Sequence, residues 1–147
     1  MSNEDAAWEK FPAKDSAYED IRDFIVTAAA RAGVGKKRIL KLELGFEEAV
    51  VNVISYAYDG DDGDIFIKVT DDIEGKNFIL EMADYGKPFN PLEKNDPRAE
   101  DKSQIEERQI GGFGISFMKK TFAELDYSNK LFRGKEANCL KLVFKKD

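Results

Sequence analysis

The sequence predicts an α+β fold, a two-layer sandwich with three helices on one face of a mostly antiparallel, mixed sheet. Three observations carry this. Apolar residues recur at helical spacing behind Ser16 and again from Lys36 to Tyr58. Alternating segments flank two short turns, Glu74-Gly75-Lys76-Asn77 and Arg133-Gly134-Lys135, so each pair reads as an antiparallel hairpin. A glycine cluster, Gly111-Gly112-Phe113-Gly114, opens a third helical segment. Helices gathered on one side of an antiparallel sheet define the α+β class.

The elements follow in order. Residues 1–15 read as a loose leader with an edge strand around Trp8 to Ala13. Ser16-Ala17-Tyr18-Glu19 matches a capping box, in which Ser16 and Glu19 satisfy each other's backbone amides. Behind it Tyr18, Ile21, Phe24, Ile25 and Ala28 place a first helix that runs to Ala32 and stops at Gly33. The second helix, Lys36 to Tyr58, is apolar around more than half its circumference. Its narrow polar sector holds Lys41, Glu48, Asn52, Ser55 and Asp59. Asp59-Gly60-Asp61-Asp62-Gly63-Asp64 is a turn by composition. Ile65, Ile67 and Val69 mark one strand, and Phe78, Leu80 and Met82 mark the buried face of its partner. From Asn90 to Gln109 the periodicity vanishes for about 20 residues, the signature of a lid or of disorder. A third helix from Gly112 to Glu124 precedes a closing hairpin built from Asp126–Leu131 and Asn138–Phe144.

Composition bounds the chemistry. A chain of 147 residues reads as a single domain over 1–147, large enough to hold itself together without staples. Cys139 is the only cysteine, which rules out an intrachain disulfide and suits a reducing cytoplasm. There is no histidine, so His-based triads and His-ligated zinc are excluded. No apolar run approaches the roughly 20 residues that span a bilayer, and the acidic start is unlike a secretory signal. A net charge of −6 argues against nucleic acid as a direct partner. It does not argue against ATP, which needs only local amide donors and one metal ion.

Three segments can carry chemistry. Glu48 and Asn52 stand at i and i+4 on one helix face. A carboxylate beside an amide oxygen suits magnesium, or the carboxylate can deprotonate a water or hydroxyl nucleophile; a solvated stripe is the plainer reading. Asp84 is in phase with Phe78, Leu80 and Met82 and so falls on the buried face, where a carboxylate needs donors. It either starts a turn before Gly86 or lies at a pocket floor, accepting a hydrogen bond from an adenine amine while Gly86 lets the ligand approach the backbone. Gly111, Gly112 and Gly114 before a helix offer free N–H groups to an anion, or simply a flexible helix start. They form neither a P-loop nor a dinucleotide fingerprint. Arg108, just before them, either reaches a terminal phosphate bound there or is simply a solvated arginine of a charged loop.

In this order and spacing, Glu48-Ala49-Val50-Val51-Asn52-Val53-Ile54, Asp84-Tyr85-Gly86-Lys87-Pro88-Phe89 and Arg108-Gln109-Ile110-Gly111-Gly112-Phe113-Gly114-Ile115 resemble three motifs of one ATP-binding superfamily. It is the superfamily of DNA gyrase, heat-shock chaperone ATPases, histidine kinases and mismatch-repair ATPases. Within it the chain is most similar to the bacterial anti-sigma-factor serine/threonine kinases, over about residues 16–145. The resemblance implies the histidine-kinase-like ATPase fold, with residues 90–110 as an ATP lid. It implies that Asn52 holds Mg²⁺ and phosphates, that Asp84 binds adenine with Gly86 as pocket wall, and that Gly111, Gly112 and Gly114, with Arg108, form the phosphate loop. Glu48 becomes the general base toward a hydroxyl on an anti-sigma-factor antagonist protein, with a sigma factor held elsewhere. Relatives of this type often dimerise, so a homodimer is compatible with the resemblance. Departures fall at Tyr56, where relatives often have histidine, at Ala123, where they have aspartate, and at Asn138-Cys139-Leu140, where many carry Gly-Thr.

Overall fold

The computed structural model describes residues 7–72, 74–88, 90 and 118–147. Five strands form one sheet: β1 (Glu9–Pro12), β2 (Asp64–Asp71), β3 (Asn77–Asp84), β4 (Glu124–Phe132) and β5 (Lys135–Lys145). Their spatial order is β1-β2-β3-β5-β4. Every pairing described is antiparallel. Two helices, α1 (Tyr18–Arg31) and α2 (Lys36–Asn52), pack on one face with a helical stretch at 118–121. The α+β two-layer class is therefore observed, in a sheet more uniformly antiparallel than the sequence alone indicates.

The period-two pattern explains which face is covered. Ile65 and Ile67 on β2, Phe78, Leu80 and Met82 on β3, and Leu140, Leu142 and Phe144 on β5 join Ile21, Ile25 and Ala29 of α1. Leu42, Phe46, Ala49 and Val50 of α2 complete that core. Phe46, Phe78 and Phe144 are among its largest fully enclosed side chains, each worth about 1.5–3 kcal/mol in burial. Gly45 permits the closest helix contact: a Cβ there would lie 2.7 Å from Thr121 Cγ2.

The opposite face carries a smaller cluster. Phe66 meets Phe132 at 5.1 Å and Tyr85 at 5.7 Å between ring centroids, and Trp8 packs edge-on to Phe132 at 4.8 Å. Arg133 and Lys135 lie over these rings. Along the same face, register partners Lys68, Glu81, Lys141 and Asp126 alternate in charge from β2 across to β4.

The closing strands are longer than read, and three helical features differ from the sequence reading. Ser16 does not cap α1. A 3₁₀ turn at Asp15–Ala17 leads directly into the helix, its cap residue is Ala17, and no side chain caps it. The backbone bond from Ala17 N to Lys14 O, 2.9 Å, begins the turn that replaces the capping box. The last helical segment ends at 121 rather than at Glu124. Ala123 N–H instead donates to Val143 O at 2.8 Å, and the chain enters β4 at Glu124. α2 is followed by a π-helical turn, Val53–Ala57, inside the span read as regular helix. The end of α1 behaves as read, since Gly33 at φ +93° and Val34 donate to Ala30 O and Ala29 O in a Schellman arrangement. No helix among the described residues is long and apolar enough to cross a membrane.

Candidate functional site

β3 ends on the buried face at Asp84, directly opposite Asn138 of β5 and Ile65 of β2. The carboxylate is 6% exposed. Gly86 N–H donates to its Oδ1 at 2.9 Å and Asn138 Nδ2 donates to the same oxygen at 3.0 Å. Among the described residues no donor reaches Oδ2. Burial pushes the Asp84 carboxyl above its ordinary value, and the bonds from Asn138 and Gly86 partly oppose that rise. Asp84 thus makes the turn before Gly86 and also lines a cleft.

The segment after Asp84 is fastened to the end of the π turn. Lys87 N–H donates to Ala57 O at 2.9 Å. A Cβ on Gly86 would fall 2.3 Å from that same carbonyl oxygen, so glycine is required by the close approach of two backbones. Tyr58 adds a third tie, its hydroxyl donating to Asp64 O at 2.6 Å and accepting from Tyr85 N at 2.8 Å. π turns cluster at functional sites, and here the turn directs the Ala57 carbonyl at the Asp84–Lys87 segment.

Between this segment and α2 opens a cleft with about 490 Å³ of empty space, its open mouth included. Ala49, Val53, Met82 and Leu140 give it apolar walls, while Asn52, Asp84, Lys87, Tyr127 and Asn138 give it polar points. Apolar walls beside a carboxylate whose Oδ2 has no donor among the described residues suit a heterocycle that donates an N–H. The Lys87 ammonium at the rim pairs with Asp59 at 2.8 Å.

Of the residues singled out in the sequence, Asn52 and Asp84 line this one cleft. Gly86 acts through its backbone and is not part of the lining. Glu48 lies one turn before Asn52, half-buried, with its carboxyl raised first by burial and then by the neighbouring charge of Glu47. A raised carboxyl is a better proton acceptor at neutral pH. Arg108, Gly111, Gly112 and Gly114, and the lid apart from Asn90, lie outside the described residues. Tyr56, the departure from histidine, is 57% exposed and lines the cleft. Ala123 is exposed and takes no part in the site.

Sequence reasoning missed Asn138 and Tyr127 as members. Asn138 is in phase with Leu140, Leu142 and Phe144, so the argument that buries Asp84 buries it too. No sequence signal marks the π turn or Lys87.

Among the described residues no group of three His, Cys, Asp or Glu side chains can hold a metal. A magnesium ion held by one amide oxygen and phosphate oxygens needs no such group. Asn52, at the cleft wall, would offer an amide oxygen to such an ion and Asp84 an acceptor to an adenine amine, so the residues present fit ATP with magnesium.

Residues 11–144 match the family model described as a histidine kinase-like ATPase domain, which covers nearly the whole chain. The chain belongs to that family. None of the curated proteins matches it.

Proposed function

We propose that this member of the histidine kinase-like ATPase family is an ATP-dependent serine/threonine protein kinase. It acts as an anti-sigma regulatory factor, phosphorylating an antagonist protein in a partner-switching pathway. Family membership implies ATP binding. The observation that carries the kinase reading is the placement of Glu48, a half-buried carboxylate of raised pKa, one helical turn from Asn52 at the wall of the Asp84 cleft.

Bound ATP supplies the transferable γ-phosphoryl group, and magnesium supplies charge neutralisation. Asp84 orients the base through Oδ2, and Ala49, Val53, Met82 and Leu140 exclude water from its faces. Asn52 offers its amide oxygen to the metal. Glu48 would accept the proton of the partner's serine or threonine hydroxyl as that oxygen attacks the γ-phosphorus and the bond to the β,γ-bridging oxygen breaks, releasing ADP. Phosphoryl transfer depends mainly on positioning and electrostatics, so this small set of groups is chemically sufficient.

The test is transfer of label from [γ-³²P]ATP to the antagonist protein. Label that appears with the native chain and is lost in Glu48→Gln supports the kinase. A second reading, a non-catalytic module whose bound nucleotide sets its grip on a sigma factor, draws on one observation: Glu48 is not part of the cleft lining. ATP binding without label on the partner would leave that reading in place.

A further inference from the structure

We propose that Asn138 is a positioning residue of the cleft: it holds one oxygen of Asp84 so that the other faces the ligand, and thereby sets a preference for 6-amino over 6-oxo purines. This rests on reading the cleft as a nucleotide site. Asn138 and Asp84 are register partners on adjacent strands, both on the buried face. The orientation of the Asn138 amide is forced by its surroundings. Its nitrogen faces three acceptors, Asp84 Oδ1 at 3.0 Å, Gly86 O at 3.2 Å and Lys87 O at 3.0 Å. Its oxygen accepts from the Tyr127 hydroxyl. Reversing the amide would set its oxygen against those three acceptors. Asn138 therefore links β4, through Tyr127, to both Asp84 and the turn that follows it.

The consequence is chemical. Asp84 Oδ1 receives two donors, and Oδ2 is left to the ligand. An ionised Oδ2 attracts the N–H of a 6-amino group and repels the oxygen of a 6-oxo group. A protonated carboxyl would donate to the 6-oxo oxygen instead, and discrimination would fade. Burial drives Asp84 toward that protonated form, while the donors from Asn138 and Gly86 oppose it. Among the described residues, Tyr58 at the end of the π turn and Cys139 on β5 feel the charge of this carboxylate, and Tyr127 on β4 reaches it through Asn138. Lys87, from the turn, has its ammonium paired with Asp59.

Two readouts test the proposal. In the ligand-free protein, carbon NMR follows the Asp84 carboxyl through pH, its resonance assigned by its absence in Asp84→Asn. Asn138→Ala is expected to raise the midpoint, because the donor that opposes the rise is lost. Tyr127→Phe, which frees the far end of the amide and removes little bulk, is expected to raise it less and serves if Asn138→Ala does not fold. An unmoved midpoint in the variants that fold overturns the proposal. Calorimetry at neutral pH then compares ATP with ITP. The native chain is expected to favour ATP, Asn138→Ala to lose part of that preference, and the acid limb of ATP binding to move to higher pH. An unchanged preference and limb in Asn138→Ala overturns the proposal even where binding weakens, because a merely structural loss would weaken both nucleotides alike. A native chain that binds neither nucleotide overturns the nucleotide reading and with it the purine preference, while the NMR titration still decides whether Asn138 holds Asp84.

Discussion

Asp84 and Glu48 are two carboxylates near one cleft, both raised by burial, and the fold treats them in opposite ways. Asp84 ends a central strand, is 6% exposed, and has one oxygen held by two donors. Glu48 sits half-buried on α2 with no hydrogen bond or ion pair to another described residue. On the proposed reading, the base end of the cleft is built before any ligand arrives, and binding there would cost little reorganisation. The reactive end would be completed by phosphates, metal and partner. Binding and chemistry should then separate under mutation, and the comparison can be broken at either end.

The largest expected effect is at the unbuilt end. Glu48→Gln should cut phosphoryl transfer to the partner by about 10²–10⁴-fold while ATP affinity changes little. Equal losses of transfer and affinity, read by label transfer and calorimetry, would place Glu48 in binding instead. At the built end, Gly86→Ala forces a Cβ to within 2.3 Å of Ala57 O, and backbone cannot yield as a side-chain tip does. A loss of about 1–3 kcal/mol in urea unfolding is expected, with weaker ATP binding alongside it. Tyr58→Phe removes the hydroxyl that joins Asp64 O to Tyr85 N and should cost about 1–3 kcal/mol, because both backbone groups lose their partner. The smallest effect belongs to Lys87→Ala. Its exposed pair with Asp59 should contribute less than about 1 kcal/mol and fade in high salt.

Asp84 also gives the comparison a pH sign. Its folded-state value lies above its ordinary one, so its contribution to stability is complete below the ordinary carboxylate range and is lost as pH rises through the raised value. The ligand-free Asp84→Asn protein should therefore melt higher than the native chain at neutral pH, even as it binds ATP less well. A lower melting temperature would mean that the bonds to Oδ1 outweigh the burial of charge.

The fold was legible because it rests on periodicity. The buried phase of Phe78, Leu80, Met82 and Asp84, and the two hairpins, follow from alternation and turn chemistry alone. That Asp84 and Asn52 line the cleft was legible because each is polar at a position the pattern makes costly or exposes beside it. Asn138 carries the same signal on β5, yet its partner could be named only once the register set it opposite Asp84. Strand register is a long-range property, and no local pattern fixes it between β3 and β5. At Ser16 a local backbone bond, Ala17 N–H to Lys14 O, replaces the capping box, whereas the π turn at Val53–Ala57 ends where Lys87 N–H reaches Ala57 O from a distant segment.

The most direct test of the account is calorimetric titration of ATP and magnesium into the native chain and into Asp84→Asn. The account predicts binding to the native chain and a loss of about 1.5–3 kcal/mol in the variant, from the missing charge-assisted hydrogen bond. Equal affinity in the two folded proteins would contradict it.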